Sequence, residues 1–190
     1  MSIEELYKIL LSDKPSDILL NNENDLFKLI PELKMCKGFN QNSKWHIYDV
    51  YEHILHVVDY VPKNITLRLA ALFHDLGKPY TYTEDENKEG HFYGHWEISK
   101  KIFNEFSNKY NIDKDIGNLV SNLIYYHDIN IAKFDDEKIK ELYQLLEEDG
   151  IKKLYELKKA DLLAQNENYH YILDDYEKQQ ERINSIIKRE

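Results

Sequence analysis

A single cysteine, Cys36, stands in a chain of 190 residues, so neither an intrachain disulfide nor a cysteine-rich zinc site can form. Arginine is nearly as scarce: Arg68, Arg182 and Arg189 are the only three, and bidentate guanidinium clamps on phosphate must be few. Positive charge is outweighed throughout, with a net charge of -10, which argues against a surface built for nucleic acid. No stable nucleic-acid complex is expected, although a local basic pocket is compatible with that balance. No stretch approaches the roughly 18 apolar residues of a membrane span. Residues 1–13 carry Glu4, Glu5 and Lys8 among their apolar positions, unlike a signal peptide. These absences imply a reducing, cytoplasmic setting without a membrane. Repeats, low-complexity tracts and clear strand patterns are missing too.

What is present is helical periodicity in a soluble composition, 42% hydrophobic and 32% charged, at a length suited to one domain. Ser2-Ile-Glu-Glu5 has the form of a capping box, and Ile3, Leu6, Ile9 and Leu10 follow at helical spacing. Pro15 suits the opening of a second helix, interrupted in the asparagine-rich residues 21–24. Residues 31–44 read as an irregular crossing segment. Residues 45–60 predict a helix with the stripe Ile47, Val50, Tyr51, Ile54, Leu55 and Val58, and with His46, Asp49, His53 and His56 on a neighbouring face.

Asn64 then caps a helix apolar nearly all round, which should lie centrally. The polar residues 80–94 are a candidate lid or site wall, being longer than most connections. Periodicity returns with Ile98, Ile102, Phe103 and Phe106, and again with Ile116, Leu119, Val120, Leu123 and Ile124. A further helix starts at Asp135 or Asp136 and is closed by Gly150, and after it Leu154, Leu157 and Asp161 share one stripe. A long charged surface helix ends the chain. The expected class is an all-α, single-domain helical bundle over residues 1–190, with a helical extension at 1–30, a core at 31–165 and a C-terminal helix at 166–190.

The chemistry concentrates in Leu69-Ala-Ala-Leu-Phe-His-Asp-Leu-Gly-Lys78, where an apolar run leads straight into a histidine and a carboxylate. Burying that pair is costly unless something compensates it, and a divalent metal would. Gly77 suits a left-handed residue just past the helix, Pro79 suits its ending, and Lys78 leaves as a mobile cation fit for a phosphate. The same residues also suit a plain helix C-terminus with a polar exit. Asp161 on a core-facing stripe needs a metal, several donors, or a lysine such as Lys158. The candidate ligands therefore follow the order His53, His74-Asp75, His95, His127 and Asp161, on separate helices, as bundle metal sites are built.

That order, with the Leu-Phe-His-Asp-Leu-Gly-Lys run, resembles the HD-domain superfamily of metal-dependent phosphohydrolases. A closer likeness is to the HD domain of bacterial tRNA nucleotidyltransferases. It is carried by Pro31-Glu-Leu33, Trp45-His-Ile-Tyr-Asp-Val-Tyr-Glu-His53, Leu67 to Pro79, Gly90-His-Phe-Tyr-Gly-His95 and Ala160-Asp161. No Gly-Ser segment followed by Asp-x-Asp precedes Pro31, so a hydrolase without the nucleotidyltransferase head is expected. The resemblance implies a metal at His53, His74, Asp75 and Asp161. In relatives with two metals, Asp75 would bridge to a second ion at His95 and His127. With one metal, His95 becomes a substrate-binding group.

The expected reaction is hydrolysis of a phosphate monoester or cyclic diester, in a nucleotide or RNA-end-like small molecule, by metal-activated water. Asp75 acts with Lys78, which neutralises phosphoryl oxygens, and with His91, which orients phosphate or protonates the leaving oxygen. Nitrogen and oxygen ligands without thiolate suit manganese, iron, cobalt or nickel, with zinc also compatible, as one or two ions. Two other readings are a di-iron oxygenase on the same scaffold and a metal-stabilised binding module without turnover. His56 and His170 read as ordinary surface residues.

Overall fold

Ser2 caps the first helix, α1 (Ile3–Leu10), as its spelling predicts: Glu5 N–H donates to Ser2 Oγ (3.2 Å) and Ser2 N–H donates to Glu5 Oε2 (2.7 Å). The structure, a computed structural model, describes residues 1–188, so Arg189 and Glu190 at the end of the expected terminal helix lie outside the described residues. Pro15 opens α2 (Pro15–Asn21), and Asn22 ends it and begins α3 (Glu23–Leu29). Leu6, Leu10, Leu19 and Leu26 are fully buried in the same hydrophobic cluster as Ala70 and Phe73. The N-terminal helices thus close over the core that carries the His-Asp pair.

Two expectations about the next stretch are corrected. Residues 31–44 are not wholly irregular, since α4 (Glu32–Cys36) forms there and buries Leu33 and Cys36. The helix carrying His53 starts at Val50, not at residue 45: α5 (Val50–Tyr60) is capped by Asp49, whose Oδ1 accepts from Glu52 N (2.7 Å) and whose Oδ2 accepts from Gly38 N (2.7 Å). A side chain that satisfies these donors keeps its own backbone extended, so the chain before it runs as a loop and His46 leaves the helical face.

In α6 (Ile65–Phe73), capped by Asn64, every residue from Thr66 to Phe73 is buried, as its apolar surface requires. It packs against α5, α8 (His95–Lys109), α9 (Lys114–Tyr126) and α10 (Asp136–Leu163), and so occupies the centre. Phe73 meets Phe103 of α8 edge to face at 5.2 Å. Between α6 and α8 lie the short α7 (Lys78–Thr81) and an antiparallel hairpin, β1 (Thr83–Glu84) with β2 (Gly90–His91), pairing Thr83 with His91 and Glu84 with Gly90. These are the only strands among the described residues, too short to show alternation in the sequence.

Pro79 therefore lies inside the short α7 and does not terminate α6. Gly77 is not left-handed either: its φ is -77° and ψ -17°. The need for glycine there is space. A Cβ would stand 2.1 Å from His95 O and 2.9 Å from Ser99 N, and Gly77 N–H donates to Ser99 Oγ (2.8 Å). The loop after the His-Asp pair is thereby pressed onto the first turn of α8.

Gly150 likewise does not close a helix. Within α10 the break is at Glu147 (φ 56°, ψ -177°), a left-handed φ that a non-glycine residue adopts at a cost of about 1–3 kcal/mol. Gly150 instead makes room: a Cβ there would lie 3.0 Å from Leu146 Cβ and 3.2 Å from Leu119 Cδ1 of α9. The last helix among the described residues is α11 (Leu173–Ile187), which follows a 3-10 segment (Glu167–Ile172) and buries Ile183 and Ile186, so it is not purely a surface helix. No described helix is long and apolar enough to cross a membrane.

Candidate metal centre

Five helices deliver the side chains. His53 is the fourth residue of α5, His74 and Asp75 follow directly on α6, His95 is the first residue of α8, His127 comes from just past α9, and Asp161 from the last turn of α10. All of the histidines and Asp75 are buried, the Asp75 side chain to 1% exposure.

Local geometry aims the imidazoles. Nδ1 of His74, His95 and His127 lies 2.7, 2.8 and 2.7 Å from the carbonyl three residues earlier, Ala71, Phe92 and Ile124 respectively. His53 Nδ1 faces Ala164 O at 3.4 Å. A neutral imidazole that donates from Nδ1 keeps a lone pair on Nε2, the ligand form. These Nε2 atoms meet in pairs, His53 with His74 at 3.4 Å and His95 with His127 at 3.2 Å.

Asp75 lies between the pairs. Oδ2 is 3.2 Å from His74 Nε2 and 3.4 Å from His53 Nε2, while Oδ1 is 3.2 Å from His95 Nε2 and 3.6 Å from His127 Nε2. Asp161 Oδ1 joins the first pair, 2.9 Å from His53 Nε2 and 3.8 Å from His74 Nε2. Lys78 Nζ approaches Asp75 Oδ2 to 2.7 Å, but off the hydrogen-bonding direction, so both buried Asp75 oxygens lack a hydrogen-bond partner. Burial opposes ionisation of Asp75, yet His74 and Lys78 outweigh it and hold the carboxyl well below its ordinary range. Asp161 is lowered in the same way, burial being overcome chiefly by His53. Burial alone would push His74 down, but Asp75 and Asp161 together raise it, whereas burial dominates at His127 and lowers it.

A buried, ionised Asp75 whose oxygens lack hydrogen-bond partners, set among imidazole nitrogens, is what a cation would satisfy. The groups that could hold one are His53, His74 and Asp75; His74, His127 and Asp161; and Asp75, His95 and His127. Either one shared ion or two ions bridged by Asp75 suits that donor set, which is oxygen and imidazole nitrogen throughout.

Lys78 is not a mobile cation. It is 5% exposed, its Nζ donates to Gln41 Oε1 (2.8 Å) and lies 3.3 Å from His46 Nε2, and its ion pair is with Asp75. His91 stands apart from the cluster, on β2 at the wall of the cavity, 3.5 Å from Asp85 Oδ2 and stacked on Tyr93. With Gly94 left-handed (φ 78°) before α8, His91 and His95 do not share a helical face. Lys158 does not pair with Asp161; its ammonium donates to the carbonyls of His127 and Ile129.

A cavity of about 730 Å³ opens over this centre and reaches Asp75, His95, His127 and Asp161. Residues 90–93 form part of its wall, as do His46 and, from α11, Tyr176 and Arg182. His46, Gln41 and the α11 residues were not legible as site residues. Only the histidine itself in Trp45-His46 was a signal, and the docking of a distant helix leaves no local mark. His56 stacks on Tyr48 (4.2 Å), and His170 lies half-buried in the 3-10 segment.

A helical bundle that gathers inward histidines and aspartates around a buried carboxylate belongs to a recognisable class of metal-centre fold. The HD domain family matches residues 45–188, and the chain belongs to that family. It is similar to the CC-adding tRNA nucleotidyltransferase of Thermus thermophilus, 30% identical over 169 residues, which cover 85% of this chain and 38% of that protein. The Multifunctional CCA protein of Dechloromonas aromatica is 28% identical over 177 residues, 90% of this chain and 39% of the relative. That of Methylobacillus flagellatus is 37% identical over 81 residues, 40% of this chain and 20% of the relative. The chain spans under two fifths of the length of these curated relatives.

Proposed function

We propose that the chain is a metal-dependent phosphohydrolase acting on a phosphate monoester or cyclic diester of a nucleotide or RNA-end-like small molecule. The observation that carries this reading is the placement of Asp75, ionised and buried, with one oxygen on each pair of histidines. Two divalent transition metal ions would fit the donors: His53, His74, Asp161 and Asp75 would hold one, and His95, His127 and Asp75 the other. When bound, such ions polarise a phosphoryl oxygen and make water acidic enough to yield hydroxide near neutral pH.

The protein's own part is positioning. Lys78 keeps Asp75 ionised and borders the cavity, where it adds positive potential for the phosphoryl group. His91, held at the wall by Asp85, binds the phosphate or protonates the leaving oxygen. Aromatic residues Trp45, Phe92, Tyr93, Trp96 and Tyr176 around the cavity suit a nucleoside, and the cavity volume suits a molecule of that size. The names of the similar proteins support a nucleotide or RNA-end substrate.

Elemental analysis of the purified protein, with a phosphate-release screen over nucleotides and added manganese, iron, cobalt, nickel or zinc, tests the reading. Metal-dependent phosphate release is expected. Oxygen uptake by an iron-loaded protein without phosphate release would move the centre to the oxygenase alternative, and metal binding without turnover on any substrate to the binding module.

A further inference from the structure

Lys158 is buried, 4% exposed, on α10 one turn before Asp161. Its ammonium donates to the carbonyl oxygens of His127 and, at 3.0 Å, Ile129, and lies 5.9 Å from the Tyr176 ring centre. The carbonyls at the end of α9 have no partners within their own helix, and a cation at a helix C-terminus complements them. A buried ammonium is nevertheless an expensive way to satisfy carbonyls that solvent or a neutral donor would satisfy as well. Its position gives a reason for it.

His127 lies just past the end of α9, where a helix frays most readily. Its ring is aimed by the Nδ1 contact to Ile124 O within that same last turn, so a shift of the turn would carry Nε2 with it. Lys158 clamps the backbone of His127 itself. The other three imidazoles are held differently: His53 lies at the fourth residue of α5, behind the Asp49 cap, His74 follows α6 but that helix is buried from Thr66 to Phe73, and His95 sits under the Gly77 contact. One helix, α10, thus supplies Asp161 to the His53–His74 pair and a backbone clamp to the His95–His127 pair.

We propose that Lys158 is a positioning residue for the ion at His95, His127 and Asp75 Oδ1, acting through the His127 backbone. This rests on the two-ion reading above. Loss of the clamp should weaken that ion by roughly 10–100-fold, as removal of outer-shell partners does, and leave the ion at His53, His74 and Asp161 alone.

The test is titration of metal-stripped full chain with Mn²⁺ alone, followed by calorimetry and by electron paramagnetic resonance, for the parent, Lys158→Met and Lys158→Gln. The parent should take two ions per chain and show a spin-coupled pair. Lys158→Met should keep one affinity unchanged, lose the other by the stated factor, and give the spectrum of an isolated ion at intermediate loading. Lys158→Gln keeps a donor and should weaken the same ion by less; it carries the test if the methionine variant does not fold. Two unchanged affinities, or two that fall together, overturn the positioning role while the two-ion reading stands. A parent that takes a single ion overturns both.

Discussion

Nε2 of His95 stands 3.2 Å from Nε2 of His127, while Nδ1 of each ring lies against a backbone carbonyl at 2.8 and 2.7 Å. If both Nδ1 atoms donate, two lone pairs face each other in a buried place. His53 and His74 repeat the arrangement at 3.4 Å. Asp75 adds two oxygens without hydrogen-bond partners between the pairs. One or two bound cations would satisfy these nitrogen and oxygen atoms together.

Metal removal should lower stability accordingly. A ligand at about 100 times its Kd adds about 2.7 kcal/mol, roughly 5–10 °C in Tm for a chain of this size. Thermal melts with added Mn²⁺ and with a chelator measure the difference; superimposable curves would sink the idea of a cation centre.

Lys78→Met should destabilise the metal-free protein by about 3–5 kcal/mol, because it leaves the buried Asp75 carboxylate without its cation. Bound metal should offset much of that loss. Urea unfolding with and without Mn²⁺ checks both. A variant as stable as the parent but with a raised KM would show Lys78 serving substrate phosphate alone.

Gly77→Ala should cost at least about 1–3 kcal/mol, the range for overpacking, since the new methyl would meet backbone atoms of His95 and Ser99 that cannot turn aside. Because the same contact seats His95 beside Asp75, Mn²⁺ affinity should fall as well. Denaturant midpoints and a metal titration report the two effects, and an unchanged midpoint would refute the close approach.

Cys36 is fully buried, and burial raises its thiol pKa far above the ordinary value, so the thiol form persists into alkaline solution. Alkylation of the native protein should remain slow between about pH 7 and 9, where a free thiol of pKa ~8.5 would become mostly thiolate. Labelling should follow unfolding instead. Rapid stoichiometric labelling of folded protein at pH 9 would contradict this.

Much of the helical architecture is legible from local rules. The Ser2 box, the Asn64 cap and the all-round apolar α6 are properties of a few neighbouring residues, and the structure places them as their spelling predicts. The start of α5 is not legible locally, because the apolar stripe runs back to Ile47 while Asp49 caps the helix and also accepts from Gly38 N, 11 residues away. In the sequence Gly77 and Gly150 look like backbone punctuation, yet both act through the side chains and backbone packed against them, which no local pattern reveals.

The sequence by itself determined that the class is all-α and where most of the longer helices lie, that His74 and Asp75 enter the core together, and that other histidines and an aspartate stand on helices of their own. Those outcomes follow from periodicity and capping, which act over a turn or two. Only the tertiary structure decided that Asp75 divides its oxygens between two histidine pairs, that Lys78 turns inward, and that Lys158 holds the carbonyl of His127. Each of those contacts is set by how whole helices dock, and the direction of a side chain across an interface depends on a partner that lies elsewhere in the chain.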